Sequence, residues 1–168
     1  FLLLTAVMLE SMPEINTAFF SVLRKGLTPV QMSVTSVCGA FASCVVSFLY
    51  QYTGGFRACL YASVFLNMLC AILAFFIYLG APMFGFEILR SVLGSVASML
   101  FLLPVVIEAA KMSANGSEGV SYALFVSCMN LSGVLGEYFE GIVVRELDDM
   151  GLYLILAPVV MWLPLLVI

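Results

Sequence analysis

Acidic side chains stand inside long apolar runs of this sequence, at spacings that put them on single helical faces. Glu10 and Glu14 are one helical turn apart, and Asn130 and Glu137 are two turns apart, so each pair shares one face of an α-helix. A carboxylate that faces lipid costs about 2.5–3.5 kcal/mol on insertion scales, so both faces must meet other helices or water. Carboxyls in such surroundings are suited to bind and release protons or to contact a polar solute.

The face that carries Glu10 and Glu14 has two alternative interpretations. Pro13 interrupts this face, and like charges one turn apart repel each other, so at least one of the two carboxyls is expected to be protonated near neutral pH. A group of this kind is what a proton-coupling site requires. Alternatively, Glu10 lies near a water-exposed helix end.

A third polar face carries a basic residue. Its members include Arg90, Phe101, Pro104 and Glu108. At a rise of 1.5 Å per residue, Arg90 and Glu108 are about 27 Å apart, so they mark opposite mouths of one pathway. Pro104 removes a backbone hydrogen bond and is expected to allow a kink or a gate. Alternatively, Arg90 and Glu87 form a surface ion pair of little energetic weight.

The elements that hold these residues must lie in a membrane. The chain of 168 residues is 64% hydrophobic and 10% charged, and its mean hydropathy is +1.18. A soluble domain of this size could not bury so much apolar surface. Runs of about 20 apolar residues cross the hydrocarbon core, and we find them at about 1–24, 29–52, 57–79, 84–112, 119–146 and 150–168. The predicted fold is an all-α integral membrane protein, a multi-pass six-helix transmembrane bundle. Its short connections make consecutive helices antiparallel.

Several function classes are excluded or made improbable by composition. The five cysteines are scattered through apolar runs without a C-x-x-C pair, and there is no histidine, so neither a metal site nor a disulfide framework is expected. The net charge of −4 is small and dispersed, which argues against a nucleic-acid partner. The sequence shows neither a nucleophile paired with a base nor a phosphate-binding loop, so an enzyme is not indicated. No cofactor is expected.

Other polar residues are interpreted as contacts between helices. Four small residues recur at four-residue spacing in the second span, which is typical of close helix packing: Thr35, Gly39, Ser43 and Ser47. Asn67, in the third span, is expected to hydrogen-bond to a neighbouring helix. Asn130 has two interpretations: it either hydrogen-bonds to a neighbouring helix or lines a solvated cavity.

One long segment resembles a known family. Residues 100–141 read LFLLPVVIEAAKMSANGSEGVSYALFVSCMNLSGVLGEYFEG. This segment resembles the characteristic segment of the folate-biopterin transporter family, within the major facilitator superfamily. The residues that match the family pattern are Pro104, Gly116, Glu118, Ser127, Asn130, Leu131, Gly133 and Glu137.

The first span also resembles the seventh helix of that family, with one departure. Pro13 and Pro29 fit the family pattern, but the family's acidic residue a few places after the proline is replaced here by Asn16 and Thr17, with Glu14 nearby. Arg57 fits the basic residue that follows the eighth helix. The resemblance therefore implies the C-terminal six-helix half of a twelve-helix transporter, with the N-terminal half missing from a fragment that begins at Phe1.

The resemblance implies that the cargo is a folate or a pterin, taken across the lipid bilayer by proton-coupled symport. Such a cargo offers a flat aromatic ring, and folate adds carboxylates, so aromatic faces and a cation are expected to bind it. The candidates for contact with cargo are Arg90, Phe101, Tyr122 and Phe125. Glu137 is the candidate proton site or gate contact of the transport cycle, and the coupling role would pass to Glu10 or Glu14 if Glu137 is structural.

The same resemblance implies an orientation, with the connections around Arg57 and Lys111 facing the cytoplasm. Asn115-Gly116-Ser117 is a glycosylation sequon, and a glycan on Asn115 would invert this orientation. Two other functions are compatible with the residues: transport of another small organic solute, and a polytopic membrane protein whose buried acids are structural.

Overall fold

The computed structural model describes residues 27–52, 55–80 and 83–112, together with separate helical positions between 119 and 142. Within the continuous ranges the chain forms three α-helices: α1 (Pro29–Leu49), α2 (Phe56–Tyr78) and α3 (Met83–Met112). A 3-10 turn over Tyr50–Tyr52 continues α1. All three helices are long and apolar enough to cross a membrane. They correspond to the second, third and fourth spans of the sequence, whereas the full number of six helices stays a prediction.

Helix α1 begins with a reciprocal cap. The backbone N–H of Gln31 donates to Thr28 Oγ1 over 3.3 Å, and the backbone N–H of Thr28 donates to Gln31 Oε1 over 2.9 Å. Pro29 occupies the first turn, where its missing N–H is not needed. The sequence Thr28-Pro29-x-Gln31 therefore defines the point at which the chain enters its helix.

Helix α3 lies between α1 and α2. The latter two are consecutive in sequence, but they make little contact with each other and pack instead on α3. Contacts between α1 and α3 advance in the same direction, from Thr35 with Ser91 to Ser47 with Met99. Helices α1 and α3 are thus parallel neighbours.

Contacts between α2 and α3 advance in opposite directions. Ser63 Oγ donates to the Ala97 carbonyl over 2.8 Å, while Cys70 Sγ contacts the Arg90 carbonyl over 3.5 Å. Consecutive helices are antiparallel, as the short connections predicted. Among the described helices the neighbour of α1 is α3, however, and the sequence did not predict that pairing.

The ridge of small residues on α1 faces α3, which confirms its predicted packing role. A Cβ placed on Gly39 would lie 2.6 Å from Ser95 Oγ and 2.8 Å from Ser91 Oγ. These separations are too short for any side chain, so the close approach of α1 and α3 depends on glycine at this position.

The contact between α2 and α3 is apolar at one end of the helices. Leu60, Val64, Phe101 and Val105 form a buried cluster, with Phe56 packed against it. Pro104 is also fully buried. Van der Waals packing of this kind, rather than a hydrophobic driving force, holds helices together in lipid.

Candidate functional site

A buried ion pair is the most polar feature of the three described helices. Arg90 Nε donates to Glu87 Oε2 over 2.9 Å, and Arg90 Nη2 donates to Glu87 Oε1 over 2.6 Å. The side chains of Arg90 and Glu87 are only 7% and 5% exposed. The residues are three positions apart on α3, so one helical turn brings the guanidinium and the carboxylate together. The two parallel bonds give the planar geometry by which arginine recognises carboxylates.

The turn of α3 that carries this pair is tied to both neighbouring helices. Cys70 of α2 contacts the Arg90 carbonyl, and Ser91 Oγ donates to the Thr35 carbonyl of α1 over 2.9 Å. The pair is therefore held where all three helices converge. The surroundings are fixed by backbone contacts and not by the ion pair alone.

This geometry corrects one expectation. Arg90 and Glu87 do form a pair, as the alternative interpretation held, but the pair is buried and not on the surface. The reason lies in α1 and α2, which cover this turn of α3 from two sides. Removing one partner of a buried pair typically costs about 3–5 kcal/mol, because the other charge is left uncompensated.

The opposite end of α3 carries an exposed pair. Lys111 Nζ lies 2.7 Å from Glu108 Oε1, and their side chains are 64% and 40% exposed. Solvent screens such a pair, which contributes about 0–1 kcal/mol. Tyr50 follows α1 and lies near this end of α3. Partial burial raises the pKa of its hydroxyl. The charges of Cys59 and Glu108 raise that pKa further, whereas the charge of Lys111 lowers it. The end of α1, the start of α2 and the end of α3 therefore meet at one face of the bundle.

Phe101 and Pro104 lie in the packed contact between α3 and α2. Phe101 belongs to the buried cluster with Leu60, Val64 and Val105. Pro104 cannot donate a backbone hydrogen bond, yet α3 continues past it to Met112. The face that the sequence indicated as polar is thus a contact face with α2 along the described part of the chain.

Asn67 is a buried polar residue whose environment the sequence did not reveal. It is 3% exposed, and its Oδ1 has no hydrogen-bond partner among the described residues. The expected hydrogen bond to a neighbouring helix is not made by this oxygen within that part of the chain. A buried acceptor without a donor typically costs about 1–3 kcal/mol, so the site favours a water molecule or a donor from elsewhere in the protein.

The remaining predicted residues are only partly described. Asn130 is helical and exposed. Six others lie outside the described residues: Glu10, Pro13, Glu14, Tyr122, Phe125 and Glu137. Among the residues that the structure describes, no cluster of histidine, cysteine or acidic side chains could hold a metal ion.

The three helices define the class of protein to which the chain belongs: it is an integral, multi-pass membrane protein. The sequence model of the BT1 family matches residues 1–153. The chain therefore belongs to the BT1 family, the folate-biopterin transporters, as the resemblance predicted. No curated protein matches the chain, and no solved structure matches it.

Proposed function

We propose that this chain forms the C-terminal half of a twelve-helix secondary transporter that moves folates or pterins together with protons. Membership of the BT1 family supports a transporter of the general folate-biopterin type. The observation that carries the cargo class is the buried Glu87–Arg90 pair. A guanidinium inside a membrane-crossing helix is a functional group by default, because such charges are expensive to keep in lipid.

In this proposal Arg90 is the cation that attracts the carboxylates of folate. Phe101, Tyr122 and Phe125 supply aromatic faces for the flat pterin ring. Phe101 is packed against α2 in the described arrangement, so its contact with cargo requires α2 and α3 to separate during the transport cycle. Alternating access in carriers of this architecture moves one helix bundle against another, so the separation of α2 and α3 would be an additional movement within one bundle.

Glu137 is the proposed coupling acid, with Asn130 on the same helical face. Glu10 and Glu14 are the alternatives, next to Pro13, where the sequence predicts an interruption of the helix. Pro104 is the proposed gate position in α3. The orientation, the six-helix count and the second half of the carrier belong to this proposal as well.

The test is uptake of labelled folate and biopterin by the full-length protein in proteoliposomes, with and without an inward proton gradient. We expect a gradient to accelerate uptake, and Glu137→Gln to abolish that acceleration while the protein still folds. Uptake of neither compound would contradict the cargo class. An uptake rate that is the same with and without the gradient would contradict proton coupling. A matched control is Glu108→Gln, which alters only an exposed pair.

A further inference from the structure

The carboxylate of Glu87 occupies one bidentate edge of the Arg90 guanidinium. Both Glu87 oxygens accept hydrogen bonds from Arg90, one from Nε and one from Nη2. This edge of the guanidinium binds a carboxylate bidentately, and it cannot bind two at once. A cargo carboxylate that binds Arg90 through this edge therefore competes with Glu87 for the same donors.

We propose that Glu87 is the residue that links carboxylate binding to proton uptake, and that Arg90 exchanges the Glu87 carboxylate for that of the cargo. This inference rests on the proposed function, because it concerns the binding of anionic cargo. It adds a coupling acid to those that the sequence indicated, since Glu87 was first considered only as a structural partner of Arg90.

The charges of the site explain why a proton is needed. When a cargo carboxylate takes the donors of Arg90, the Glu87 carboxylate loses its cation while it is still buried. A proton on Glu87 removes its negative charge, so no uncompensated carboxylate is left at Glu87. The balance is simple: one proton binds to a Glu87 oxygen, two hydrogen bonds pass from Glu87 to the cargo, and the proton leaves when the cargo leaves and the ion pair re-forms.

Few other titratable groups face the pair from the described parts of the neighbouring helices. Cys70 of α2 lies against Arg90, and Tyr78 is the titratable residue nearest the end of α2. Helix α1 carries no charged side chain; its titratable residues are Cys38 and Cys44. On α3 the other charges, Glu108 and Lys111, are at the far end and form their own pair. Within these elements Glu87 is the one carboxyl close to Arg90.

The geometry also predicts which cargo is coupled. Folate carries carboxylates and competes with Glu87, whereas biopterin carries none and leaves the ion pair in place. Proton uptake should therefore accompany folate and should not accompany biopterin at this site. A proton acceptor elsewhere in the carrier would not distinguish the two compounds in this way.

The experiment measures proton uptake on binding by calorimetry of the purified full-length protein, in buffers of different ionisation enthalpy. The probes are folate, biopterin and p-aminobenzoylglutamate, which is the pterin-free carboxylate portion of folate. We expect each carboxylate probe to bind with one proton more than biopterin, so that for each unit of rising pH its affinity falls about tenfold more than that of biopterin where Glu87 is ionised before binding. Biopterin should bind without the proton on Glu87.

Two variants sharpen the result. Glu87→Gln should bind folate with one proton fewer than the wild type and with a correspondingly weaker pH dependence, while Glu108→Gln should keep the wild-type linkage. If Glu87→Gln does not fold, the wild-type comparison of folate with biopterin decides the matter alone. Carboxylate binding without proton uptake, equal uptake for biopterin, an unchanged linkage in Glu87→Gln, or no binding of any carboxylate probe would each overturn the proposal.

Failure of this inference is distinguishable from failure of the proposed function. Proton-driven transport of biopterin and folate, with a proton uptake that Glu87→Gln leaves unchanged, would keep the function and reject Glu87. Proton-linked binding of p-aminobenzoylglutamate, without transport of either pterin, would keep the exchange at Arg90 and reject the cargo class.

Discussion

Glu87 and Glu108 show how strongly burial changes the contribution of an ion pair to stability. Both carboxylates pair with a cation three residues further along α3, at separations of 2.6 and 2.7 Å. The first pair is covered by two helices and the second is open to solvent. Nearly the same local geometry therefore has very different energetic weight.

This contrast predicts unequal effects of two matched substitutions. Glu87→Ala leaves the Arg90 guanidinium buried without its carboxylate and should lower the free energy of unfolding by about 3–5 kcal/mol. Glu108→Ala removes the partner of Lys111, which is already in contact with water, and should lower this free energy by about 1 kcal/mol or less. Denaturant titration of the full-length protein in mild detergent measures both values. Equal losses would mean that burial of the first pair does not persist in the whole protein.

Gly39 permits the second prediction at the residue scale. Gly39→Ala places a methyl group 2.6 Å from Ser95 Oγ and should destabilise the protein by about 1–3 kcal/mol. Ser95→Ala in the same chain should recover part of that loss, because it removes the nearest atom. The control is Gly85→Ala, where nothing lies within 4 Å. Thermal melting of the three variants checks the prediction, and an unaffected Gly39→Ala would show that α1 and α3 are further apart.

At the scale of the element, the start of α1 depends on two side chains. Thr28→Ala removes the acceptor for the Gln31 N–H and should cost about 1 kcal/mol of local helix stability. We expect faster hydrogen exchange of the amides in the first turn of α1. Ser36→Ala is the control, since its hydroxyl donates within the helix to the Met32 carbonyl. Identical exchange in both variants would mean that the cap does not hold the helix end.

The limits of prediction from sequence are also clearest at this scale. Local punctuation was sufficient to delimit the helices: Thr28-Pro29 precedes α1, and Gly80, at a φ of 104°, follows α2. Spacing was sufficient to predict that Gly39 faces another helix. Neither signal says which helix is met, because that depends on contacts between distant segments. Such contacts determine that Glu87 and Arg90 are buried and that Asn67 Oδ1 has no partner among the described residues. These two features were therefore visible only in the structure.

For the whole molecule, the large exposed apolar surface agrees with a membrane setting. Val37, Phe41 and Phe48 of α1 are all exposed among the described residues. In a membrane protein such side chains meet lipid or other parts of the protein. The described helices are therefore suited to a lipid environment, as expected of a multi-pass membrane protein of the BT1 family.

The orientation of the molecule gives the last prediction. Arg57 lies at the start of α2 and Lys111 at the end of α3, so both belong to one face of the bundle. We expect cysteines introduced at these two positions to react with a membrane-impermeant reagent only from the cytoplasmic side, and a cysteine at Thr28 to react only from the other side. A glycan on Asn115 in the intact protein, or reaction of Arg57 and Lys111 positions from opposite sides, would contradict this orientation.

The parallel pairing of α1 with α3 has a consequence for the order in which the protein is made. Of the three described helices the ribosome releases α1 first, and α3, on which α1 packs, is released only after α2. During this interval the small-residue ridge of α1 does not yet have α3 to pack against. Two of its hydroxyls are nevertheless satisfied within α1, because Thr35 Oγ1 donates to the Met32 carbonyl and Ser47 Oγ donates to the Ser43 carbonyl, each over 2.8 Å. These two hydroxyls therefore need no acceptor from α3 while α1 enters the bilayer.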